Sequence, residues 1–180
     1  RLGYNVGVAH CNFCLRGEES DQDTVMVERE CEKLGIVCHS KRFDTTGEME
    51  RTGDSMEMTA RRLRYEWFHE LCKEEGYNVI AVAHHANDSI ETFFINLLRG
   101  TGLRGLTGIN RQYGKVVRPL LYATRKDILE YALHNHIPYR EDSSNRSTKY
   151  LRNKIRLGLI PRIREISPRF PFIMHQNIER

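Results

Sequence analysis

Residues 78–83 read NVIAVA and run without a break into His84-His85-Ala86-Asn87-Asp88. A short, almost wholly apolar run fits a strand buried on both faces, which is the situation of strands in a parallel sheet. Parallel neighbours cannot be joined by a tight turn, so each needs a crossover, usually a helix. The remaining sequence supplies such alternation. Residues 5–10 (NVGVAH) make a second apolar run, and Ser20 and Asp21 open a helix with Val27, Cys31 and Leu34 at i, i+4 and i+7. Gly35 stops it, and residues 36–43 read as another strand. Residues 44–53 are polar and contain glycine, which predicts a loop. Asp54 and Glu57 then resemble a capping box, opening a helix with Leu63, Trp67, Phe68 and Leu71 on one face and Gly76 beyond its end. Asn87 or Asp88 is placed to cap the next helix, whose stripe is Ile90, Phe93, Phe94, Leu97 and Leu98. Residues 116–121 predict a strand and 125–135 a helix. The fold class is therefore α/β, a mainly parallel sheet with flanking helices. From Tyr150 the pattern is helical, basic and broken by Pro161, Pro168 and Pro171. This divides the chain into an α/β domain over 1–145 and a basic helical extension over 146–180.

Charge follows a similar division. Residues 1–100 carry 12 Lys/Arg against 18 Asp/Glu, whereas 101–180 carry 16 against 6. An acidic front and a basic back suggest a polyanion met by the back half. No apolar run approaches the length needed to span a bilayer, and the opening residues lack a signal-peptide pattern, so no membrane partner is expected. Five cysteines, an odd number in a chain able to build an ordinary core, point to a reducing cytoplasm rather than to a disulfide scaffold. Cys11 and Cys14 have C-x-x-C spacing, but no second such pair accompanies them. No metal site is assigned.

Ligands of open parallel sheets bind beyond the carboxyl ends of strands. Two such ends are chemically rich here: Ala9-His10, and the turn from His84 to Glu91. Asp88 and Glu91 lie one helical turn apart at a helix N-terminus, where the dipole favours their ionised forms. Two such carboxylates suit an ammonium group or a magnesium ion. Each taken alone also fits a plain helix-capping role. Arg99-Gly100 opens the glycine-rich run RGTGLRGLTG, which reads either as a helix end with a loop or as backbone approaching a phosphate.

Several segments in order carry a resemblance. They are Ala9-His10 with Leu15-Arg16-Gly17-Glu18-Glu19-Ser20, Ser55-x-Glu57 with Ala60-Arg61 and Arg64-Tyr65, and AHHANDSIETFFINLLRGTGLRGLTGI at 83–109. RPLL at 118–121, Asp142-Ser143-Ser144-Asn145, and Arg152-Asn153-x-x-Arg156 with Leu159-Ile160-Pro161 complete the set. Together they resemble the lysidine-forming branch of the N-type ATP pyrophosphatase (PP-loop) family, over roughly residues 5–170. The resemblance implies a Rossmann-like fold of the adenine nucleotide alpha hydrolase type. It implies adenylation of the wobble cytidine of an isoleucine tRNA by ATP with Mg2+, then displacement of AMP by the ε-amine of free lysine. Asp88 and Glu91 would be the catalytic acids. His10, His84, Arg61, Arg99 and Gly100 would line the lysine or nucleotide pocket. Arg152, Asn153, Lys154 and Arg156 would meet the tRNA backbone, and a homodimer is one arrangement open to such an enzyme.

The family's Ser-Gly-Gly-x-Asp-Ser phosphate loop is not found in these residues, and its usual place precedes Arg1. These residues alone are accordingly expected neither to bind ATP well nor to modify tRNA. Two other readings stay open: a related tRNA-thiolating enzyme, favoured by Cys11 and Cys14, and a non-catalytic tRNA-binding segment, favoured by the basic back half.

Overall fold

The computed structural model describes residues 3–140 and 150–179, in two units, residues 1–80 and 81–180. Asp142-Ser143-Ser144-Asn145 lies outside the described residues. In the first unit, β1 (Gly7–Asn12) and β2 (Val37–Arg42) pair in parallel, Gly7 opposite Val37 through to Asn12 opposite Arg42. The crossover between them is α1 (Glu18–Leu34), which ends where Gly35 takes the left-handed conformation and returns its N–H to Cys31 and Glu32 carbonyls. Phe43, Trp67 and Leu71 form the core of this unit, with Ala9, Cys11 and Phe13 packed on it. Phe13 stacks on Phe43 at 5.3 Å and Trp67 meets Phe43 edge-on at 5.9 Å. Burying side chains of this size stabilises the unit by about 1.5–3 kcal/mol each.

Two expectations need correction in this unit. Residues 44–53 are not a loop: they hold α2 (Thr45–Thr52). The Asp44 side chain accepts from the Gly47 N–H, Gly53 closes the helix at φ 74°, and Glu48 pairs with Arg51 one turn on. Caps and a charge pair thus make a helix from a segment with no apolar periodicity. The next helix, α3 (Met56–Glu74), is capped by Ser55, which accepts from the Met58 N–H, and not by Asp54.

Glu48 also bonds Arg62 of α3 at 2.8 Å. Hydrogen bonds from Arg51 and then Arg62 lower its carboxyl to about 2. A carboxyl whose folded value lies below its unfolded one stabilises the fold above the unfolded value and loses that contribution as pH falls toward 2. Carbon-detected NMR titration is expected to show Glu48 still ionised at about pH 3, where ordinary glutamates are protonated.

A three-stranded sheet has the order β3 (Ile80–Ala81), β5 (Val116–Val117), β4 (Gln112–Tyr113), and all of it but Ile80 belongs to the second unit. The NVIAVA run predicted a longer strand. Its partner β5 is only two residues long, and the Val82 N–H reaching the Val117 carbonyl is the last link. The strand expected over 116–121 is only β5, and it pairs with β4 in an antiparallel hairpin that turns at Gly114 with φ 57°. The helical elements of this unit include α4 (Ala86–Leu98), a short 3₁₀ turn (Leu103–Leu106) and α5 (Arg125–His134). Residues 151–166 form one continuous helix in three parts: α6 (Leu151–Lys154), a π-helical segment (Ile155–Leu159) and α7 (Ile160–Ile166). The helix α8 (Phe170–Glu179) lies against α4, with Phe94 and Phe170 rings 6.0 Å apart.

The π-helical segment has a local cause. Pro161 has no N–H to donate, and its ring would clash with the Leu157 carbonyl four residues back in an α-helix. The chain widens instead, and the Ile160 N–H bonds the Ile155 carbonyl five residues back. Among the described residues no helix is long and apolar enough to cross a membrane.

Candidate functional site

The strand-to-helix turn at 84–91 is built by a reciprocal cap. His85, not Asn87 or Asp88, is the N-cap of α4: its Nδ1 accepts from the Asp88 N–H, and the Asp88 carboxylate accepts from the His85 N–H at 3.0 Å. Asn87 has another task, its side-chain oxygen accepting from the Arg125 N–H at the start of α5. Glu91 lies one turn inward and is 1% exposed.

A carboxylate so buried needs partners, and the π-helical segment supplies them. Arg156 donates to both Glu91 oxygens, from Nε at 2.6 Å and from its terminal nitrogen at 2.9 Å. That fork-to-fork geometry is the strong form of a charge-assisted pair. The same guanidinium lies 3.6 Å from Asp88 Oδ1, and Arg152 approaches Glu91 at 3.7 Å while donating to Thr92. The hydrogen bonds to Glu91 raise the Arg156 pKa and fix it as a cation. Asp88 and Glu91 were predicted together and stand together. Arg152 and Arg156, the expected tRNA-backbone contacts, stand beside these acids. Their joint placement was hinted by spacing alone: two arginines four apart, and two acids three apart.

A cleft of about 480 Å3 opens beside the pair, lined by Asn87, Glu91, Arg156, Ile160, Pro161 and Pro168 among others. It offers both signs of charge and an apolar wall. His84 is half-buried just before the cap. Arg99 ends α4 on the surface, and Gly100 follows with φ 76°. Asn153 is buried and Lys154 exposed on the helix that carries Arg156.

His10 and Arg61 belong to the first unit. His10 bonds Thr24 at 3.1 Å, and burial lowers its pKa against the opposing pull of Asp23 and Glu28. Arg61 is exposed on α3 with its guanidinium 4.8 Å from the Tyr65 ring. Cys11 is half-buried, and burial raises its thiol to about 11, which keeps it protonated near neutral pH. Cys11 and Cys14 are not joined to each other, and among the described residues no three His, Cys, Asp or Glu gather as a metal-ligand set.

An α/β arrangement with a parallel pair, a charged strand-to-helix turn and a helical C-terminal region defines a nucleotide-handling class of domain. The family profile described as a PP-loop domain, an ATP-binding family, matches residues 2–163, and the chain belongs to that family. It is similar to the tRNA(Ile)-lysidine synthase of Bacteroides thetaiotaomicron, 48% identical over 92% of this chain and 39% of that protein. The namesake in Chlorobaculum tepidum is 44% identical over 99% of this chain and 53% of that one. The chain thus spans about two fifths to one half of the length of the curated relatives it matches. Among solved structures it resembles the U34-tRNA thiolase NcsA of Methanococcus maripaludis, with a TM-score of 0.77 over 97% of this chain and 61% of that one. At 15% identity, that likeness concerns the fold.

Proposed function

We propose that the chain is the PP-loop part of an enzyme that joins lysine to the wobble cytidine of an isoleucine tRNA. The similarity to lysidine synthases along nearly the whole chain carries this reading. The site supports it chemically. Free lysine brings a carboxylate, two ammonium groups and a four-carbon stem. The cleft beside Glu91 presents a guanidinium, carboxylates and the apolar wall of Ile160, Pro161 and Pro168. Asp88, whose Oδ2 serves the cap and whose Oδ1 lies 3.6 Å from Arg156, is in this reading the acid that takes an ammonium. Glu91 is a positioning residue in this reading, holding Arg156 at the cleft. In the overall reaction ATP transfers its adenylyl group to the cytidine with loss of pyrophosphate, and the lysine ε-amine replaces AMP. Magnesium accompanies the triphosphate, for which one or two protein carboxylates suffice.

The thiolating alternative fits less well. The Cys11 thiol is held protonated, and the closely similar relatives are lysidine synthases.

The test is lysine incorporation into tRNA by the full-length enzyme carrying Asp88→Asn. The amide still accepts the cap hydrogen bond, so folding should be retained, while the charge is lost. The lysine KM is expected to rise at least tenfold, about 1.4 kcal/mol of lost ammonium binding. An unchanged lysine dependence would exclude Asp88 from the pocket.

A further inference from the structure

Arg152 and Arg156 face Glu91 while Lys154 between them is exposed, and a second basic stretch lies earlier in the chain. From Thr92 to Lys126 the chain runs 35 residues with seven Lys/Arg and no Asp or Glu. The structure turns part of that stretch outward. Tyr113 lies on β4, the edge strand, at 76% exposure. Gly114 and the exposed Lys115 form the hairpin tip, and Arg111 is exposed just before β4. Tyr122 is 70% exposed because Leu121 and Ala123 on either side are buried and hold it facing out. Arg125 follows, exposed, its backbone N–H tied to Asn87. Two exposed tyrosines thus lie in a stretch whose charged residues are all cations.

We propose that this surface, centred on the β4–β5 hairpin, binds RNA at unpaired nucleotides. The Tyr113 ring stacks on a splayed base, and Lys115 at the hairpin tip takes a flanking phosphate. Charge complementarity selects a polyanion, and the aromatic component selects one whose bases are open: a loop rather than a duplex. Phosphate contacts alone would not distinguish the two. This proposal rests on the tRNA reading above and deepens it by naming where the loop is gripped.

The experiment is fluorescence-anisotropy titration of the full-length protein with a labelled RNA hairpin carrying an unpaired loop, and with a blunt RNA duplex of the same length. Tyr113→Ala is expected to weaken loop binding about tenfold and leave duplex binding unchanged. Tyr113→Phe, which keeps the ring, is expected to bind like the parent. Lys115→Glu should lower the salt slope by at least about 0.7, whereas Lys33→Glu on α1 should leave it unchanged. Equal loop affinity for Tyr113→Ala and the parent overturns the proposal, as does an equal loss for Lys33→Glu and Lys115→Glu. Lysine incorporation assayed alongside separates the two readings. An active enzyme whose RNA binding ignores Tyr113 removes the surface only, and a protein that grips loops through Tyr113 but incorporates no lysine removes the enzyme reading only.

Discussion

Glu91→Ala is expected to lower the unfolding free energy by about 3–5 kcal/mol, the range for breaking a buried ion pair from one side. The substitution leaves the Arg156 guanidinium, three-quarters covered, facing a void where two hydrogen bonds had been. Arg152, which is 42% exposed, can turn to water and adds little to the loss. The pair is not thereby a large net source of stability. Two charges taken out of water offset most of their mutual attraction, so removing both partners should cost much less than either alone. Urea unfolding of Glu91→Ala, Arg156→Met and the Glu91→Ala/Arg156→Met double variant measures this, with a coupling of at least about 2 kcal/mol expected. A loss below about 1 kcal/mol for Glu91→Ala would mean that the carboxylate is not held as described.

How much of this was legible in the sequence depends on where each signal resides. The parallel pair, α1, α3 and α4 follow from apolar runs and 3.6-residue stripes, which are local properties. The helix at Thr45–Thr52 was not legible that way, because Asp44, Gly53 and the Glu48–Arg51 pair hold it rather than an apolar face. The length of β3 was overestimated because strand length is set by the partner, and β5 offers only two residues. At the site, Asp88 and Glu91 were found because they are close in sequence. The pairing of Arg156 with Glu91 was not legible, because an ion pair across 65 residues leaves no periodic trace. The N-cap role of His85 was obscured by Asn87 and Asp88, both better cappers by residue type.

Gly108→Ala should be the second severe substitution. Gly108 has φ 66°, where an alanine costs about 1–2 kcal/mol in backbone strain. A Cβ there would also collide with Ser89 Oγ and come within 2.8 Å of Ile178 Cγ2. Ser89 is 2% exposed and its hydroxyl accepts from the Ile109 N–H at 3.0 Å, so it has no room to withdraw. Overpacking of this kind adds about 1–3 kcal/mol. The summed loss of about 2–5 kcal/mol should appear in thermal or urea unfolding. Gly102, with nothing within 4 Å of its Cβ position and no positive φ, is the control and should tolerate alanine with a change under about 1 kcal/mol. Similar losses at both positions would show that the loop is not pinned to α4 at Ser89.

The widened turn at Ile155–Leu159 amounts to one residue surplus to α-helical register. In an α-helix each residue advances the azimuth by about 100°. Arg152, before the wide turn, and Arg156, inside it, phase the helix against Glu91. Downstream, Ile160, Pro161 and Arg164 line the cleft, turned relative to that anchor by the surplus residue. The surplus residue therefore sets the angle between the charged wall at Arg156 and the apolar wall at Ile160 and Pro161, and deleting one residue after Arg156 would turn the apolar wall by about 100° relative to Glu91.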